Sequence, residues 1–118
     1  MVTIYHNLCP AMGQQTPRLQ ELELAGIVPG TDSLDEAFDL TIHRDAEHWT
    51  DDLLVQSFGD RRSRRSSQEG DVFVLGNGAA FLVLVHGFRA LPGLRLPFLP
   101  NETDKSCSAL DKSALHSV

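Results

Sequence analysis

Val72-Phe73-Val74-Leu75-Gly76-Asn77-Gly78-Ala79-Ala80-Phe81-Leu82-Val83-Leu84-Val85 decides the fold. Two apolar runs rich in Val, Leu and Phe flank Gly-Asn-Gly, and Asn and Gly tolerate the positive φ angles that a tight turn needs. The stretch therefore predicts a β-hairpin. His86-Gly87 forms a second turn into Phe88-Arg89-Ala90-Leu91, which extends the hairpin to a three-stranded antiparallel meander. The central run is continuously apolar, so it should be covered on both faces.

Upstream, Ser33-Leu34-Asp35-Glu36 has the form of a helix capping box, in which the Ser33 hydroxyl and the Glu36 carboxylate each take a backbone N–H of the other residue. Leu34, Ala37, Phe38, Thr41 and Ile42 follow at helical spacing and make one face, which suits a helix lying on the sheet. Asp32, Asp35 and Glu36 favour the same start by placing negative charge at the positive end of the helix dipole. Val2, Ile4 and Tyr5 suggest a first strand ending at His6-Asn7, and Leu19 to Leu24 a second, although neither alternates cleanly. Cys9 to Pro17 lacks a period and reads as a loop. Leu53 to Phe58 reads as a further strand, with a short helix capped at Thr50-Asp51-Asp52 as the alternative.

These elements add up to an α+β fold, a small antiparallel sheet packed against one main α-helix. A chain of 118 residues has room for one such domain. Its expected extent is residues 1–92, with residues 93–118, rich in Pro and Leu and then polar, as a flexible tail. No apolar run approaches the ~18 residues of a membrane span, and Met1 to His6 does not look like a secretory leader. Two cysteines near opposite ends, Cys9 and Cys107, argue against a disulfide framework, so a cytoplasmic setting with no membrane contact is expected.

The net charge of −6 is a sum of unlike parts. Residues 1–59 hold ten acidic side chains against Arg18 and Arg44, whereas Arg61, Arg62, Arg64 and Arg65 crowd a Ser-rich stretch that reads as an exposed loop. Four guanidinium groups there could contact phosphates, but no aromatic residue is interleaved to stack bases. A loop that pairs with the chain's own carboxylates, or is simply solvated, is the simpler reading. Trp49, the only tryptophan, is either an anchor pinning its loop or a binding surface.

Chemistry could also come from the histidines His6, His43, His48, His86 and His116. His43 and His48 could converge on Asp45 or Asp51 through the turn between them, although five residues apart they would not share one helix face. Cys9 could be a nucleophile with His6 or His43 as base, but the sequence supplies no orienting third member. Gly76-Asn77-Gly78 is not a phosphate-binding loop. No cofactor and no metal is expected.

Arg65-Ser66-Ser67-Gln68-Glu69-Gly70-Asp71-Val72, followed by the hairpin and Gly87-Phe88, resembles a family of small bacterial proteins frequent in actinobacteria and on plasmids and phages, and more distantly the YodL-like domains of mobile elements. The shared pattern is Arg-Ser-x-Ser-x-Gly-Asp-Val, with Gln68 here in place of the second serine. Ala37-Phe38, Leu40-Thr41, His43 and Trp49-Thr50 are similar to the family's helix and the loop after it, with Ile42 replacing an Asn. The resemblance covers about residues 2–91 and implies no particular reaction. Ser66, Ser67, Gly70, Asp71 and His43 take scaffold roles in this reading. The expectation is a non-enzymatic accessory or binding domain of a bacterial plasmid, phage or host, contacting protein or nucleic acid through Arg61, Arg62, Arg64, Arg65 and Trp49. A metal-binding protein or small hydrolase built on His43 and His48 is the alternative.

Overall fold

The computed structural model describes residues 1–9, 16–44, 47–59 and 64–96. Along them run β1 (Val2–Asn7), β2 (Leu22–Val28), α1 (Leu34–Leu40), β3 (Gln56–Ser57), β4 (Val72–Leu75), β5 (Ala80–Leu84) and β6 (Gly87–Ala90). The strands make one antiparallel sheet in the order β3-β2-β1-β4-β5-β6. β4, β5 and β6 are the expected meander. Gly78 and Gly87, at φ of 91° and 99°, supply the left-handed residues of its two turns, and the Asn77 side chain accepts the Ala79 N–H at 2.9 Å.

β1 lies between β2 and β4, and all six of its residues are buried. Val2 and Ile4 face a cluster with Ala37, Trp49, Phe73 and Val83, against which Leu34, Phe38 and Leu40 of α1 pack. Tyr5 faces a second cluster with Leu22, Leu24, Val72, Val74 and Leu82. Both sheet faces therefore carry core. Leu94 and Leu96 pack on the second cluster, so the core takes in residues beyond Leu91. The tail expected over 93–118 lies outside the described residues from position 97 onward.

Two strand expectations are corrected. The Leu19 to Leu24 run opens with a 3-10 turn at Leu19–Glu21, and β2 begins only at Leu22 and continues to Val28. Its pairing with β1 shifts between Ile4 and Tyr5, opposite Gly26 and Leu24, leaving Ala25 as the extra residue of a bulge. Leu22 and Leu24 therefore face the second cluster while Ala25 and Val28 face the first, which is why the sequence shows no clean alternation. The Leu53 to Phe58 run holds only the two-residue β3; a 3-10 turn at Trp49–Asp51 precedes it, overlapping the residues expected to cap a helix, and no helix follows over 53–58.

The helix starts where its cap predicts. Ser33 Oγ accepts the Glu36 N–H at 3.2 Å, but the Ser33 N–H goes to Thr31 Oγ1 at 3.0 Å, so the return half of the capping box is replaced by a neighbouring hydroxyl. Thr41 is the C-cap, which puts Ile42 past the end of the helix.

Candidate functional site

The segment Arg64 to Asp71 links the end of β1, the end of α1 and the Trp49 turn. Its short hydroxyl side chains can bond nearby backbone, and Gly70, at φ 95°, turns the chain into β4. Asp71 is fully buried. Its carboxylate accepts the Asn7 and Gln68 N–H groups, each at 2.8 Å, and a two-pronged contact from Arg65 at 2.6 and 2.9 Å. Burial pushes the Asp71 carboxyl up, while Arg65 and the backbone donors pull it down. Four N–H donors on two oxygens match the ionised form, which only accepts. Arg65 also donates to the Asn7 carbonyl at 3.0 Å, and the Asn7 amide reaches the Gly70 carbonyl at 3.0 Å.

A second chain of bonds runs beneath the helix end. Thr41 Oγ1 donates to the Ala37 carbonyl at 2.8 Å, so it receives its proton contact from Ser67 Oγ at 2.7 Å. Ser67 in turn takes the His6 Nε2–H at 3.3 Å. This direction spends the Ser67 proton on Thr41 and its lone pair on His6. Asp71 Oδ2 lies 3.9 Å from the same Nε2, whereas a catalytic triad would bond the carboxylate to Nδ1. Burial, with Arg65, Arg64 and His43 nearby, pushes the His6 imidazole down to about 2. A neutral, sealed imidazole of that basicity is a poor general base.

His43 is occupied on both ring nitrogens. Nδ1 accepts the Trp49 N–H at 3.2 Å and Nε2 donates to the Arg64 carbonyl at 3.1 Å, while the His43 N–H goes to Ser66 Oγ at 2.7 Å. The His48 ring stands 4.5 Å from the His43 ring, centroid to centroid. The two histidines do meet, but a metal at His43 would have to displace one of these bonds. Asp45, the third proposed ligand, lies outside the described residues. Trp49 is 3% exposed and its indole N–H donates to the Arg65 carbonyl at 2.7 Å, so it is placed as the anchor of its turn rather than as open surface.

The arginine stretch is not the uniformly exposed loop that its composition suggests. Arg61 and Arg62 lie outside the described residues. Arg64 is buried, paired with Glu23 and donating to the Phe58 carbonyl at 2.6 Å, and Arg65 holds Asp71. The reason is local. Bonding to the carboxylates of Glu23 and Asp71 keeps these guanidinium groups paired as they leave water. Cys9 is buried and disulfide-bonded, against the expectation from cysteine spacing and against a nucleophilic role; Cys107 lies outside the described residues. His86 is exposed at the β5–β6 turn, and His116 lies outside the described residues.

Thr41 is legible in the sequence only as part of the helix face, and Asn7, central to these networks, carries no distinctive sequence signal. The same holds for an outward-facing feature beside them. A cleft of about 750 Å³ opens at the end of α1, with Leu40, Ile42 and Trp49 on its apolar side and Asp39, Glu47 and Asp52 among its acidic groups. Next to it, Asp52 Oδ1 accepts the Leu54 N–H at 2.8 Å and the Asp52 carbonyl accepts the Val55 N–H at 3.1 Å. This tight turn leaves Leu53 101% and Leu54 63% exposed. Among the described residues no group of three or more His, Cys, Asp or Glu side chains is placed to hold a metal, and no helix is long and apolar enough to cross a membrane. No protein-family model, curated protein or solved structure matches the chain.

Proposed function

We propose that the chain is a non-enzymatic binding domain that contacts a protein through the Leu53-Leu54 turn. The exposure of these two leucines carries the reading. They occupy the middle of a tight turn, where Pro, Gly, Asn and Asp are the usual choices, with Leu53 fully exposed and Leu54 mostly so. Covering them on a partner would contribute roughly 1.5–3 kcal/mol each. The inward polar groups point the same way, because His6, Ser67, His43 and Asp71 are engaged with one another or with backbone.

A nucleic-acid contact through the arginine stretch would rest on Arg61 and Arg62, since Arg64 and Arg65 are held by Glu23 and Asp71. The resemblance supports an accessory role in a bacterial plasmid, phage or host. The cytoplasmic expectation draws on the cysteine placement, whereas the Cys9 disulfide suits an oxidising setting, and thiol titration of chain taken from cells decides between them.

The reading is tested by placing a photo-crosslinking side chain at position 54 and, as a control, at the exposed Val85. A discrete protein adduct at 54 that is absent at 85 is expected. Equal labelling at both positions would overturn the reading. So would nucleic-acid binding with a steep salt dependence that Arg61→Ala plus Arg62→Ala removes.

A further inference from the structure

We infer that the Leu53-Leu54 turn and the acidic cleft beside it form one docking surface, and that its occupant is a protein segment carrying Lys or Arg side chains next to an apolar one. The inference rests on the protein-contact reading above and adds the chemistry of the partner.

The cleft holds far more than a single side chain, and its volume lies within the range of about 300–1,000 Å³ usual for recognition pockets. Its charged lining is one-sided. Among the described lining residues, the carboxylates of Asp39, Glu47, Asp51 and Asp52 outnumber the basic groups, Arg44 and the His48 imidazole. Arg44 reaches the Asp39 carboxylate at 3.4 Å and its carbonyl at 3.2 Å, but both side chains are more than half exposed. An exposed, solvent-screened pair of this kind contributes little, so an incoming cation can replace Arg44 at little cost. The apolar side of the cleft and the two leucines offer contact area for the uncharged part of the same segment.

Charge selects among possible occupants. An anionic lipid surface could take the leucines but would meet the carboxylates, and nucleic acid would be repelled by the same groups. A second copy of this chain would bring a matching negative face. A cationic, partly apolar peptide satisfies both halves of the surface.

The test uses the full chain and a synthetic peptide of about twelve residues with leucines on one helical face and arginines beside them, together with a twin in which Glu replaces Arg. Trp49 is the only tryptophan and lines the cleft, so its emission reports binding directly. The arginine peptide should saturate the signal and the glutamate twin should not. Affinity should fall about tenfold or more between about 50 and 500 mM salt. Asp39→Asn plus Glu47→Gln, both at exposed positions, should weaken it about tenfold, whereas Asp35→Asn on the first turn of α1 should leave it unchanged. Loss with Leu53→Ser plus Leu54→Ser but no response to the carboxylate changes would overturn the cationic partner while leaving the leucine contact standing. The inference is also overturned by no saturation below about 1 mM peptide, by tighter binding to anionic vesicles or duplex DNA, or by self-association of the chain in light scattering.

Discussion

Asp71 shows what a single side chain does in this domain. With no exposure, it joins β1 to the segment before β4 through Asn7, Gln68 and Arg65. Asp71→Ala removes the acceptor for four N–H contacts, and urea denaturation should register a loss of about 3–5 kcal/mol. His6 gives a pH dependence. Its folded value of about 2 lies below the ordinary 6.5, so the unfolded chain takes up a proton that the folded chain refuses. The contribution is whole above pH 6.5 and is lost as pH falls toward 2, with a slope of at most about 1.4 kcal/mol per pH unit. Stability measured from pH 7.5 down to 4 should therefore decline less steeply in His6→Gln, and the His6 ring resonances of the parent should not titrate over that range. At this scale the sequence was partly legible. Charge leaves two courses open for the arginine loop, pairing with the chain's own carboxylates or solvation, and Arg65 takes the first with Asp71. Asn7 was not legible, because its importance comes from a turn residue 63 positions away.

Among the elements, those specified by neighbouring residues were the readable ones. The β4–β5 hairpin is set by its Gly-Asn-Gly turn, and α1 by Ser33. Ser33→Ala should lower the thermal midpoint by the equivalent of about 1 kcal/mol, whereas Glu36→Gln should change little, because the Ser33 N–H already has Thr31 as its acceptor. β2 could not be read in the same way, since its bulge changes which face its residues present. Gly59 marks another long-range constraint. It has a φ of 82°, and a Cβ there would run into the Arg64 guanidinium. Gly59→Ala should therefore cost more than an ordinary turn substitution, about 1–3 kcal/mol in denaturant titration, by straining the backbone and displacing Arg64 from Glu23. Leu53-Leu54 reads as the start of a strand because apolar residues normally signal burial, and nothing local marks the turn that leaves them exposed.

Across the whole molecule, the strand inventory was more accessible than the strand order. Periodicity says that β1 is buried but not which strands flank it, and the β1–β4 pairing, with Ile4 opposite Phe73, spans most of the domain. The meander belongs to the cooperative unit rather than being an appendage. A chain ended after Gly70 should show no cooperative urea transition and should aggregate, because one side of β1 is left without its partner. The same placement bears on synthesis. β1 precedes the other described strands along the chain, yet it ends in the middle of the sheet. It can meet β2 early, but its other edge stays open until some seventy residues have been added, a delay of about 4–14 s at ordinary elongation rates. During that interval the nascent chain carries an apolar, pairing-competent edge, and whatever shields it then contributes to the yield of folded protein as much as any contact in the finished structure.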